Sequence, residues 1–240
     1  MKKTVLSLML ALCLLLSSSI ALATTFTDAH GNEIELDDSL EAYTTVVLSG
    51  ADNAARKEET NLGDLWTDAL RWFAVSGNIH AAFDEDDVAN GIDHLDVDAD
   101  HVVALWNGGN LRADIAEGKF GAAELAEVLP FPNKVAVVAE ALEAASQALP
   151  CTNESADACA SFMQVSGLVY TVDTTKEYDN GEAYGDLWYQ ANSVNRVTVE
   201  SVNGQPFDAQ ALYAVVTSNA NYNGMDSSYI FKAAAEANPH

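Results

Sequence analysis

An α+β fold, with a mixed β-sheet flanked by helices, is the architecture that the amino-acid sequence points to. Residues 61–75 carry apolar side chains at helical spacing, and residues 102–106 form an unbroken apolar run of strand length. Short strand-like runs separated by turns fill the last third of the chain. Helix and strand signals mix without the strict βαβ alternation of a doubly wound sheet, which favours α+β over α/β.

The chain has 240 residues, 49% of them hydrophobic, enough to bury a sizeable core in one domain or a tight pair. Against 36 acidic residues stand 11 basic ones, a formal charge of −25. Nucleic acids and anionic membrane surfaces are bound by clustered Lys and Arg, which this chain lacks. A small anionic ligand would have to be met by a few well-placed basic residues.

Residues 1–23 read as a signal peptide. Lys2 and Lys3 precede an apolar run over residues 5–16, and Ala21-Leu22-Ala23 supplies the small-x-small cleavage pattern. The run is too short to span a bilayer. Cleavage after Ala23 would remove two lysines and no acid, leaving 217 residues at −27. The expectation is an exported protein, periplasmic or extracellular, with no membrane attachment after cleavage. Its remaining cysteines, Cys151 and Cys159, lie in a polar segment, and in an oxidising compartment such a near pair reads as a local disulfide. It would staple a loop and add roughly 2–3 kcal/mol by loop entropy.

The rest, residues 24–240, reads as a single domain. Residues 24–55 form an N-terminal extension, a hairpin over 25–36 and a strand over 44–48. Residues 61–75 form a helix with Leu62, Leu65, Trp66, Ala69 and Phe73 on one face, Thr60 or Asn61 as cap and Asp64 in the first turn. Residues 76–101 form an acidic insertion. A buried strand over 102–106 runs into Asn107-Gly108-Gly109-Asn110. A short helix is expected over 122–129, a strand over 134–138 and a helix over 139–148. Strand-like runs follow at 162–172, 194–202 and 211–217, and a terminal helix at 228–237.

Four ordered segments carry more specific information. They are Glu59-Thr60-Asn61-Leu62-Gly63-Asp64-Leu65 with Asp68-Ala69; Asn107-Gly108-Gly109-Asn110-Leu111-Arg112; Leu129-Pro130-Phe131-Pro132-Asn133; and Phe162-Met163-Gln164-Val165-Ser166-Gly167-Leu168. A fifth, looser one runs from Val202-Asn203-Gly204 through Tyr213 to Asn223-Gly224-Met225-Asp226. Together, over about residues 56–232, they resemble the C-terminal domain of the 5'-nucleotidase family (the UDP-sugar hydrolase/ecto-5'-nucleotidase type).

The resemblance implies a domain that grips a nucleoside or nucleotide and presents it to an N-terminal two-metal metallophosphatase domain. The 32 residues between Ala23 and Arg56 are too few to hold that partner domain. The expectation is therefore a binding module with no catalytic residue, metal ligand or cofactor of its own. Alternatives are a hydrolase acting alone or with a separate metallophosphatase chain, and a structural protein that kept the fold. Asp28 and His30 superficially match a D-x-H metal motif, but a two-metal site needs several more converging ligands, and they read as a hairpin turn.

Carried over residue by residue, the resemblance places Phe131 where the family stacks one face of the base, a contact worth roughly 1–3 kcal/mol. The alternative is an ordinary core Phe beside a turn. Asn107 and Arg112 match nucleotide-contacting positions, and Gly108 and Gly109 let backbone approach closely. Arg56 matches a second such arginine. Either these two, among only four arginines, offer planar donors to an anion, or they pair with some of the many carboxylates. Asp226 matches the acid that accepts from the ribose hydroxyls, or is a surface acid.

Two departures stand out. The family's second stacking aromatic falls on Ala220, with Tyr222 two residues on and, by strand alternation, displaced. Gly-Gly-Asp-Gly becomes Gly224-Met225-Asp226-Ser227, with side chains where glycines allowed positive φ. Other constellations are weaker: Asp96-x-Asp98-x-Asp100 lacks the glycine and glutamate of a calcium loop. Ser166 lacks the nucleophile-elbow glycine. His80, His94 and His101 cluster with acids in the insertion and could bind a metal, the less favoured reading.

Overall fold

The structure, a computed structural model, describes residues 24–27, 31, 33–36, 41–51, 53–83, 88–89, 91, 97–140, 160–173, 175–177, 179–186, 188–193, 196–226 and 228–237. The leader, the Asp28/His30 turn, His94, Asp96 and the Cys151/Cys159 loop lie outside these residues. No helix among them is long and apolar enough to cross a membrane.

Strands β1 (Thr24–Thr27) and β2 (Glu33–Leu36) pair antiparallel, as the hairpin expectation required. The strand expected at 44–48 is displaced: β3 is Ala42–Thr44, and the chain then bends. Thr44 Oγ1 donates to the Val46 carbonyl (2.7 Å), and this local bond turns the backbone out of the extended state. Leu48 alone is recaptured, exchanging two 2.9 Å backbone bonds with Ile115.

Helix α1 spans Asn61–Val75, with the Thr60 side chain accepting from the Gly63 N–H (3.1 Å) as N-cap. Its buried face is Leu62, Gly63, Trp66, Thr67, Leu70, Phe73 and Ala74. Leu65, expected inward, is 45% exposed. Gly63 faces inward instead, where a side chain would strike that of Gln164. Thr67 can be buried because its hydroxyl donates to the Gly63 carbonyl (2.9 Å).

Strand β4 (Val102–Asn107) is buried at all six positions. Both of its faces are covered, which is why its sequence reads as a continuous apolar run. Val102, Ala104 and Trp106 meet α1, whereas Val103 and Leu105 face Met163, Tyr213, Val215 and Phe231. Further along come β5 (Gly118–Phe120), which pairs with β3, helix α2 (Ala122–Val128), and β6 (Val135–Glu140). The helix expected from residue 139 is corrected at its start: Ala139 and Glu140 continue β6, opposite Ala214 and Tyr213. Strand pairing there overrides the helical preference of Ala and Glu. Residues 141–148 lie outside the described set.

The run expected at 162–172 is two strands, β7 (Met163–Ser166) and β8 (Leu168–Val172). A hairpin not foreseen from the sequence, β9 (Asn180–Tyr184) with β10 (Trp188–Ala191), follows. Then come β11 (Val197–Val202), β12 (Gln205–Pro206), β13 (Tyr213–Ser218), helix α3 (Asn219–Tyr222) and helix α4 (Tyr229–Ala237). The main sheet has the order β6-β13-β4-β7 and is mixed: β13 and β4 are parallel, and the flanking pairs are antiparallel. This is the α+β architecture with a mixed sheet. Because β4 and β13 run the same way, the segments that follow both strands leave from one edge.

Candidate functional site

That edge carries the residues singled out from the sequence. Arg112 follows β4, Phe131 precedes β6, and Asp226 follows β13 and α3. Arg56 comes from a 3-10 turn (Ala54–Arg56) that packs on the segment after β4.

Close backbone approach brings Arg56 there. A side chain on Gly108 would collide with the Ala55 carbonyl. Gly108 N–H donates to Phe162 O (2.6 Å) and Gly109 N–H to Ala160 O (3.0 Å). The approach these two glycines permit is thus to the chain's own backbone. Gln164, wholly buried on β7, completes the tie. Its Oε1 accepts from Thr60 N–H (2.9 Å), and its Nε2 donates to Ala55 O (2.9 Å) and Glu58 O (2.8 Å).

Asn107 is 1% exposed. Its Nδ2 donates to Asp226 Oδ2 (2.8 Å), and its Oδ1 accepts from Asn110 Nδ2 (2.6 Å). The amide is therefore engaged within the protein, where it aims the Asp226 carboxylate. Asp226 lies in the left-handed region (φ 50), a conformation that a short acid tolerates better than most side chains. Burial pushes its carboxyl above the usual aspartate range; the Asn107 bond and then the charges of Arg56 and Arg112 oppose that shift. The Arg56 guanidinium is lowered from its ordinary value, first by burial and next by the like charge of Arg112, with Asp226 offsetting part of this. Two guanidiniums and one carboxylate thus share a small, partly desolvated region.

Phe131 is 44% exposed, which sets aside the core-Phe alternative. The Arg112 guanidinium lies over its ring, Cζ 5.2 Å from the centroid. Among the described residues neither Arg56 nor Arg112 has a carboxylate within ion-pair distance, so neither is taken up as a surface salt bridge. The turn bearing Phe131 is tied to α3 by a reciprocal pair: Asn219 N–H donates to Lys134 O (2.8 Å) and Lys134 N–H to Asn219 Oδ1 (2.8 Å).

Among the described residues no ring contact or hydrogen bond joins Tyr222 to Phe131, either arginine or Asp226. Residues 219–222 are helical, so the strand alternation expected there does not apply. Among the described residues of the closing loop, Gly224 (φ 87) and Asp226 are left-handed and Met225, whose side chain is 59% exposed, is not.

Parts of the other constellations lie among the described residues. Asp98 accepts from Asp100 N–H (3.0 Å) and meets His101 Nδ1 (2.7 Å), capping a 3-10 turn (Ala99–His101). Ser166 donates to Asp68 Oδ1 (2.5 Å). Among the described residues no group of three or more His, Cys, Asp or Glu is placed to hold a metal ion.

A signal that the sequence carried and the motif reading passed over is Tyr184, whose hydroxyl donates to the Gly224 carbonyl (2.7 Å) beside the Asp226 loop.

The chain belongs to the 5'-nucleotidase C-terminal domain family, whose model matches residues 41–236. It is 27% identical over 215 residues to a trifunctional nucleotide phosphoesterase protein, YfkN, of Bacillus subtilis (strain 168). That match covers 87% of this chain and 12% of that protein. A crystal structure of a 5'-nucleotidase precursor from Thermus thermophilus is similar at a TM-score of 0.55 and 29% identity, covering 80% of this chain and 31% of the other. The chain therefore spans well under half the length of either relative.

Proposed function

We propose that this protein is an exported recognition module for a nucleoside or nucleotide, without a metal-dependent phosphohydrolase site of its own. The observation that carries this reading is the convergence of Phe131, Arg112, Arg56 and Asp226 at one sheet edge, with both guanidiniums free of ion pairs among the described residues. In this reading Phe131 stacks the base, Asp226 accepts from the ribose hydroxyls, and the two arginines meet a phosphate if one is present. Asn107 acts by holding Asp226, Gly108 by letting the Arg56 segment approach, and Gly109 by letting Ala160 pack against the same turn.

The charge balance favours a neutral or lightly charged guest. Asp226 offsets part of the two arginines, and the chain around them carries −25, or −27 once the leader is cleaved. Family membership and the nucleotide-processing relatives support the ligand class. Hydrolysis in this scheme belongs to a separate metallophosphatase chain, and Cys151 and Cys159 form a disulfide after export.

Calorimetry with adenosine, AMP and UDP-glucose tests the binding reading. Adenosine is expected to bind, AMP no more tightly, and an absence of binding by all three defeats it. Phosphate release from AMP by the pure protein with Mn²⁺ or Zn²⁺ would overturn the non-hydrolytic part. The N-terminal residue of the exported protein, expected to be Thr24, tests the leader.

A further inference from the structure

Among the described residues the β9–β10 hairpin has no sheet partner beyond itself, yet it is fastened at two points to the segment that carries Asp226. The Tyr184 hydroxyl, at the end of β9, donates to the carbonyl of Gly224 (2.7 Å). Ala191 N–H, at the end of β10, donates to the Tyr229 hydroxyl (2.9 Å), on the first residue of α4. The two tyrosine rings pack against each other, centroids 5.6 Å apart at 57°. Gly224 and Tyr229 bracket Met225 to Ser228, so the hairpin grips both ends of the loop whose inward-facing acid is Asp226. The fit is close: Gly224 is at φ 87, and a Cβ there would strike the Tyr184 hydroxyl and press on Lys232.

From the other side the loop is held by Asn107, through its bond to Asp226 Oδ2 (2.8 Å). The loop's carboxylate is only as well placed as the contacts that hold the loop.

We infer that the β9–β10 hairpin is a clamp that sets the position of the Asp226 carboxylate, with Tyr184 as a positioning residue that touches no ligand. Resting on the nucleoside reading above, the consequence is that Tyr184 governs discrimination of the sugar, while Phe131 governs affinity for the base.

The test compares the full chain with Tyr184→Phe, which removes one oxygen and keeps the ring, and with Tyr229→Phe, which removes the second anchor. A ligand-free arm follows the Asn107 side-chain amide and the Asp226 carboxyl carbon by NMR. Both signals are expected to shift in each variant although neither residue touches a substituted atom. A binding arm measures adenosine, 2',3'-dideoxyadenosine and free adenine. Adenosine affinity is expected to fall about 3- to 10-fold in Tyr184→Phe, the adenosine-to-dideoxyadenosine ratio to narrow, and adenine to bind unchanged. Asn107 and Asp226 signals that match those of the wild-type chain in both variants overturn the clamp, whatever the ligands do. Absence of adenosine binding by the wild-type chain defeats the nucleoside reading instead, and the NMR arm still decides the clamp.

Discussion

The Arg112 guanidinium occupies one face of the Phe131 ring, with Cζ 5.2 Å from its centroid. A base stacking on that ring must take the opposite face or displace the guanidinium toward a phosphate. Removing Phe131 therefore removes the platform for every ligand. Phe131→Ala is expected to weaken adenosine and AMP alike by about 5- to 150-fold. Arg112→Ala should weaken AMP more than adenosine, and equal losses measured by calorimetry would contradict this division of roles. An exposed cation–π contact is worth only about 0.5–1 kcal/mol, so the fold should tolerate either change.

Acceptance of ribose hydroxyls by Asp226 needs its ionised form. Because burial holds this carboxyl above the ordinary aspartate range, it gains its proton at a higher pH than a surface aspartate does. Adenosine affinity should accordingly fall on acidification with a midpoint above that ordinary range. Asp226→Asn should flatten the profile. A profile unchanged by that substitution would assign the titration elsewhere.

Asp64 tests the competition between burial and helix dipole. Its first-turn position on α1 favours the anion, yet its carboxyl is pushed up to about 6, chiefly by burial and then by Glu59 and Asp68. The unfolded chain releases this proton near 3.8. Between those values the folded state binds more protons, so stability declines as pH rises from about 4 through 6 and stays lower above. Asp64→Asn should raise the melting temperature at pH 7–8 and lose that advantage near pH 4. Melting curves across this range decide it.

Gln164 is a buried tie between β7 and the segment that brings in Arg56. Gln164→Leu keeps the volume but leaves Thr60 N–H and the carbonyls of Ala55 and Glu58 without their partner. A loss of roughly 2–4 kcal/mol is expected in urea unfolding, since buried orphaned groups cost more than the bond itself contributes. Arg56 should loosen with it, and AMP affinity should drop further than adenosine affinity.

Elements with strong local patterns were legible from the sequence: α1 by its period and Thr60 cap, and β4 by its run of apolar residues. The β9–β10 hairpin was not. Its strands, Asn-Gly-Glu-Ala-Tyr and Trp-Tyr-Gln-Ala, carry no clear apolar alternation, and what fastens them is contact with Gly224 and Tyr229 far along the chain. The site divides the same way. The family resemblance picked out Phe131, Arg112, Arg56 and Asp226. It could not reveal that Asn107 is consumed by Asp226, a partner 119 residues distant, or that Gly108 makes room for Ala55. Hydrogen-bond partners at that separation are decided by sheet order, and no local window contains it.

The parallel pairing of β4 with β13 also ties the site to the course of folding. Sliding one strand along the other by two residues, the smallest shift that keeps the same side chains inward, moves its end by roughly 6.6 Å. The 2.8 Å bond between Asn107 and Asp226 cannot stretch across such a slip. That bond therefore reports native alignment of the central strands, and the acid that would read a ribose reaches its place only once the sheet is assembled.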